Sequence, residues 1–150
     1  MATVPTYVAV CGASAAGAEQ LRLAEAVGRL LAERGAVVVC GGLGGVTEAA
    51  SKGATGAGGL VVGLLPGESR EGANPYLTVA LATGLGQARN VLIVTAADAV
   101  IAIGQGWGTL SEIAFARRLG RRVLGLDTWR VEGLETVATP DEAVEKALGT

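Results

Sequence analysis

The sequence contains no histidine, two cysteines, four prolines and only five aromatic residues (two Trp, two Tyr and one Phe) among its 150 residues. Without histidine there is no Ser-His-Asp or Cys-His nucleophilic machinery and no His-containing zinc site. Acid–base chemistry is left to Asp, Glu, Lys, Tyr or Cys, and no metal site is expected. Cys11 and Cys40 lie far apart in unrelated contexts, which fits neither a Cys-x-x-Cys redox pair nor a disulfide framework and points to a reduced, cytosolic setting. They read as buried, inert thiols at the ends of two neighbouring strands. Four prolines without a Gly-x-y repeat exclude collagen and Pro-rich disorder. No run of 18 apolar residues occurs, and Met1-Ala2-Thr3-Val4-Pro5 has no basic stretch ahead of an apolar one, so neither a membrane span nor an export signal is expected. An excess of charge of one sign is also missing. Twelve Lys and Arg against 14 Asp and Glu leave a net charge of −2, too small a field to recruit nucleic acid or an anionic membrane.

What the chain has in excess is glycine, 24 residues against a usual share of about 7%. The rest of the pattern is regular. Residues 7–11 form an apolar, β-branched run that stops at Gly12. In residues 18–34, Leu21, Ala24, Val27, Leu30 and Leu31 recur every three or four positions between charged residues, and Gly35 ends the helix. The unit repeats, with a strand at 36–40, a loop at 41–45, a small-residue helix at 46–57 and a strand at 60–65. Residues 68–76 are polar and turn-rich and read as an exposed loop long enough to act as a lid. A helix over 88–97, a strand over 99–103, a helix over 109–119, a strand over 122–126 and a terminal helix over 141–148 follow, the last begun by Thr139 at its N-cap and Pro140 at its first position. Apolar strands alternating with helices predict one α/β domain over residues 1–150, a three-layer, Rossmann-like, doubly wound parallel sheet.

In such a sheet the loops leaving the strands' carboxyl ends open on one edge, where ligands bind. Three of them are glycine-rich: Gly12-Ala13-Ser14-Ala15-Ala16-Gly17, Gly41-Gly42-Leu43-Gly44-Gly45 and Gly104-Gln105-Gly106-Trp107-Gly108-Thr109. Each leads toward a helix N-terminus, whose unpaired N–H groups and positive dipole end favour an anion such as phosphate. Tight strand-to-helix turns alone would also use these glycines. A P-loop is absent, because Ala18-Glu19 stands where Lys-Ser/Thr is required. A dinucleotide fingerprint is poorly matched, with Ser14 at its middle glycine and Cys40-Gly41 where a ribose-binding acid is expected.

Cys11-Gly12-Ala13-Ser14, the run from Gly41 to Ala50, Ala88-Arg89-Asn90 and Gly106-Trp107-Gly108-Thr109-Leu110-Ser111-Glu112 together resemble the Rossmann-like superfamily of molybdenum cofactor carrier proteins and "Lonely Guy" phosphoribohydrolases. The likeness runs from about residue 7 to residue 126. It implies a ligand-contact set of Gly12, Ala13, Ser14, Gly41, Gly42, Gly44, Gly45, Gly106, Gly108 and Thr109, with Arg89 and Glu112 in the hydrolases' catalytic positions. Gly104-Gln105 replaces the hydrolases' Pro-Gly and Asn90 replaces their usual Lys, which places the chain closer to the short carrier-like branch. The resemblance implies a small phosphorylated ligand, either molybdenum cofactor held by a binding protein or a nucleoside 5'-monophosphate cleaved to base and ribose 5-phosphate. Lysine decarboxylation, a frequent label in this superfamily, is not implied. It also implies a homo-oligomer, a dimer or tetramer.

Several residues allow two readings. Glu112 could stabilise an oxocarbenium-like centre and Arg89 could hold phosphate or a departing base, yet Thr109-Leu110-Ser111-Glu112 also spells a capping box. Trp107 suits stacking on a planar ring, packing under its loop, or a subunit contact. Arg117, Arg118, Arg121 and Arg122 could meet an anionic partner or complement a helix C-terminus. Asp98 suits a turn better than a metal.

Overall fold

Apolar runs without polar alternation have two faces to bury, and the sheet provides cover for both. The computed structural model describes residues 4–149, so the reading of Met1, Ala2 and Thr3 lies outside the described residues. The strands are β1 (Tyr7–Gly12), β2 (Val37–Cys40), β3 (Val61–Leu65), β4 (Val79–Ala82), β5 (Ala99–Gly104), β6 (Arg122–Thr128) and β7 (Glu135–Val137). The helices are α1 (Ala18–Glu33), α2 (Val46–Gly56), α3 (Arg89–Ala96), α4 (Trp107–Arg118) and α5 (Pro140–Ala147). The strands form one parallel sheet in the order β4-β3-β2-β1-β5-β6-β7. The fold is the expected doubly wound α/β arrangement.

Successive residues of β1 point to opposite layers. Val8 and Val10 join α1, α2 and α5 in one core, whereas Ala9 and Cys11 join α3 and α4 in the other. Cys11 and Cys40 therefore sit on opposite faces of adjacent strands, both buried and free. The chain reverses its direction of winding between β1 and β5, and there the crevice at a parallel sheet's carboxyl edge opens.

Glycine also sets the distance between layers. A Cβ on Gly28 of α1 would lie 2.0 Å from the Ala50 carbonyl oxygen, and one on Gly53 of α2 would lie 2.0 Å from that of Glu25. The two helices touch backbone to backbone, which offsets glycine's usual helix cost of roughly 0.5–1 kcal/mol. Gly53→Ala is expected to destabilise the protein by about 1–3 kcal/mol through overpacking. Gly56→Ala, whose added Cβ meets nothing within 4 Å, is the control. Urea midpoints that coincide for the two variants would contradict this packing.

Two strands were not legible in the sequence. β4 is a four-residue edge strand with a mostly exposed face, and β7 has three residues, so neither displays the buried apolar run that marks the central strands. Helix α4 begins two residues earlier than its spacing suggested, at Trp107. The 68–76 segment is part of the crossover between β3 and β4, mostly exposed as expected. Its far end is fastened by buried Asn74, whose backbone N–H donates to Gly42 O (2.9 Å) and whose Nδ2 donates to Leu43 O (3.0 Å). At α5 the expected cap is formed: Thr139 Oγ1 accepts from Glu142 N (3.1 Å), and the Glu142 carboxylate accepts from Ala138 N (3.1 Å). Asp98 closes the sheet's other end by accepting from Tyr7 N (2.8 Å).

Candidate functional site

The loops after β1, β2 and β5 meet above the sheet's carboxyl edge and enclose a cavity of about 720 Å³. Gly12, Ala13 and Ser14 form part of its wall, Gly41 and Gly44 another, and Gly106, Gly108 and Thr109 a third, with Arg89 and Glu112 beside them. Gly42 and Gly45 do not line it. Gly42 (φ +79°) backs onto Leu65, 2.8 Å from where its Cβ would be, and Gly45 (φ +70°) would place a Cβ 2.4 Å from Ala13 O. They are turn and packing glycines. Gly12 has a packing role as well as a place on the wall, because a Cβ there would lie 2.2 Å from Ile103 O. Gly44 and Gly108 differ: a Cβ would meet nothing within 4 Å at the first and only Asn90 Nδ2, at 3.7 Å, at the second.

The helix termini around the cavity are not the expected set. The first turns of α2 and α4 contribute Thr47 and Trp107 to Thr109, and the start of α3 contributes Arg89 and Asn90. The start of α1 instead faces a second cavity through Glu19 and Arg22. Neither α2 nor α4 has a side-chain N-cap; Val46 N at the start of α2 donates to Ala13 O (3.1 Å), and it is the N–H groups after it, with those of the first turn of α4, that face a ligand.

Gly106 occupies the N-cap of α4 in extended conformation (φ −100°, ψ 157°), so Thr109 falls inside the first turn and the capping-box reading of Thr109 and Glu112 does not hold. The Thr109 hydroxyl is buried without a hydrogen-bond partner. Ser111 ties α4 to α3 by accepting from Asn90 Nδ2 (3.3 Å) and donating to Gly108 O (2.7 Å).

Arg89 is 6% exposed and Glu112 7%. The guanidinium packs under Gly41, where a Cβ would come within 3.0 Å of Nη2. It donates to Gly41 O (3.4 Å), to Gln87 Oε1 (3.5 Å) and to Asn90 Oδ1, while Nε has no partner. Burial lowers the Arg89 pKa, opposed by the Glu112 charge. Burial pushes the Glu112 carboxyl up from 4.5 to about 8, with Arg89 pulling the other way. At neutral pH Glu112 is therefore mostly an uncharged acid beside a cation. Burial likewise raises both thiols, Cys11 strongly, with Glu112 adding to the effect.

Leu43, Thr47, Gln87, Ser111 and Phe115 also line the wall, although the expected ligand-contact set contains none of them. Gly108, Ser111, Glu112 and Phe115 follow helical i, i+3, i+4, i+7 spacing, a signal that was available once the helix start was known. The four arginines do not form one site. Arg121 donates to Thr95 O (3.0 Å) and Val94 O (3.4 Å) at the end of α3, Arg122 pairs with Glu135 (3.3 Å), and Arg117 and Arg118 occupy the last turn of α4.

Residues 5–148 match the family model described as LDcluster4, the SLOG cluster4 family. An uncharacterized protein of Archaeoglobus fulgidus is 45% identical over 144 residues, 95% of each chain. The molybdenum cofactor binding protein of the phototrophic bacterium Rippkaea orientalis shares the fold with a TM-score of 0.93 at 32% identity, over 99% of this chain and all of that one. The molybdenum cofactor carrier protein of Chlamydomonas reinhardtii follows with a TM-score of 0.89 at 27% identity, over 98% of this chain and all of that one.

Proposed function

The chain belongs to the SLOG cluster4 family, and from that membership we propose that it is a carrier-type binding protein whose cavity holds a small phosphorylated, nucleotide-like ligand, with molybdenum cofactor as the foremost candidate. The observation that carries this reading is the convergence on one cavity of uncapped helix starts, glycines open to the cavity and a buried guanidinium. Backbone N–H groups and a cation are what a phosphate requires, and a protonated Glu112 removes the nearest repelling charge. Among the described residues no group of three His, Cys, Asp or Glu could hold a metal. The cargo would be gripped through its phosphate and ring. The likeness to molybdenum cofactor binding and carrier proteins supports the choice of cargo.

Calorimetric titration with molybdopterin, AMP and GMP is expected to give saturable binding. No heat with any of them at millimolar ligand would refute the proposal. The second reading, hydrolysis of nucleoside 5'-monophosphates, is favoured by Arg89 and Glu112 sharing one wall. Its test is release of adenine from AMP that is lost in Glu112→Ala and retained in Glu48→Ala, Glu48 lying off the wall. We also propose a homo-oligomer, supported by the exposed Leu92 on α3 and Leu119 at the end of α4. Light scattering would measure it.

A further inference from the structure

The chain has five aromatic residues; two of them line this cavity, and a third, which lines the second cavity, stands behind one of the two. Trp107 and Phe115 line the first, and Trp129 stands behind Trp107 with its ring centroid 5.1 Å away and the planes tilted by 35°. Trp129 Nε1 donates to Gly106 O (2.9 Å), and its ring packs against the core on the α3–α4 side. Its hydrogen bond ends on the N-cap residue of α4, directly before Trp107 in sequence. Trp107 itself is 77% exposed. An indole offers a large flat face for stacking, and this one is held by a second tryptophan at the rim of a cavity whose walls carry an unpartnered buried hydroxyl and guanidinium Nε.

We propose that Trp107, backed by Trp129, is a stacking platform for the planar heteroaromatic ring of the cavity's phosphorylated ligand, a pterin or a purine. The inference rests on the phosphate-binding reading above and deepens it by separating two functions of one cavity. The glycine loops and Arg89 take the anion, and the tryptophan pair takes the ring. Stacking uses the π face that every such ring has, so the platform favours ring over no ring and discriminates little among rings. Phe115, one helical face along α4 from Gly108 and Ser111, extends the apolar surface beside it.

The two tryptophans are the only ones in the chain, so intrinsic fluorescence reports on the platform directly. AMP and GMP are expected to quench it, and ribose 5-phosphate is not. By calorimetry, Trp107→Ala should weaken AMP and GMP by about tenfold, Trp107→Phe by much less, and neither should change the affinity for ribose 5-phosphate. An equal loss for ribose 5-phosphate and AMP in Trp107→Ala, or no loss for either, would overturn the platform while leaving phosphate binding intact. Absence of binding by all three ligands in the unaltered protein would overturn both readings. Far-UV circular dichroism and the melting temperature of Trp107→Ala, expected to be unchanged for so exposed a side chain, separate lost stacking from lost folding.

Discussion

Affinity for a phosphate monoester is expected to fall about tenfold for each pH unit above about 8, and the fall should vanish in Glu112→Gln. The reason is proton linkage. In the empty cavity the Glu112 carboxyl ionises near 8 because burial disfavours its charge. A bound dianion raises that value further by adding like charge. Binding above pH 8 then requires a proton to be taken up, one proton for each ligand. Groups that act on Glu112 do not blur the window. Arg89 remains a cation, and the thiols of Cys11 and Cys40 are held above their ordinary value and stay protonated.

The same shift predicts stability. Between about pH 4.5 and 8, Glu112 is protonated in the folded chain and ionised in the unfolded one, so stability contributed by the neutral acid is lost as pH rises through that window. At about 1.4 kcal/mol per unit, the penalty reaches several kcal/mol above pH 8, as an order of magnitude. Glu112→Gln should therefore melt at a higher temperature than the unaltered protein at pH 9 and close to it at pH 4. Parallel melting curves for the two proteins across pH, or a pH-dependent affinity that survives in the glutamine variant, would contradict this account of the carboxyl.

Removing the cation should have the other large effect. Arg89→Ala is expected to weaken phosphate-ligand binding about 10- to 100-fold, the range for a lost hydrogen bond to a charged group. Because Arg89 is the charge that holds the Glu112 carboxyl down, the pH at which affinity breaks should move upward in the same variant. Arg89→Lys should restore the charge but not the fork that spans Gly41 O, Gln87 and Asn90. Its affinity should lie between the two. A pH break that stays in place in Arg89→Ala would show that the two groups do not interact.

How much of this was legible depends on how local each signal is. The runs at 7–11 and 99–103 announced buried parallel strands because no charged residue interrupts them, and the observed strands extend each by one glycine. The edge strand at Val79–Ala82 is too short and too exposed to do so. Thr139 and Thr109 stand in the same pattern, a Thr followed three residues later by Glu, and the pattern caps only the first. There the preceding chain enters extended at Thr139 itself. At the second, Gly106 makes that entry three residues earlier, leaving Thr109 inside the helix with an unpartnered hydroxyl. Among the glycines, sequence could not separate Gly44, with open space beside it, from Gly45, which is locked against Ala13.

By itself the sequence determined the order of the five longer strands and the five helices, the parallel sheet they must form, and the edge at which three glycine loops would emerge, since hydrophobic period and glycine placement act over a few residues. Only the tertiary structure decided which helix starts face the cavity, that Arg89 lies beneath Gly41, 48 positions away, and that Trp107 leans on Trp129. The state of Glu112 belongs to the same class. A carboxyl ionises near 8 only when segments distant in the chain exclude water from it, and desolvation is a property of the packed whole rather than of neighbouring residues.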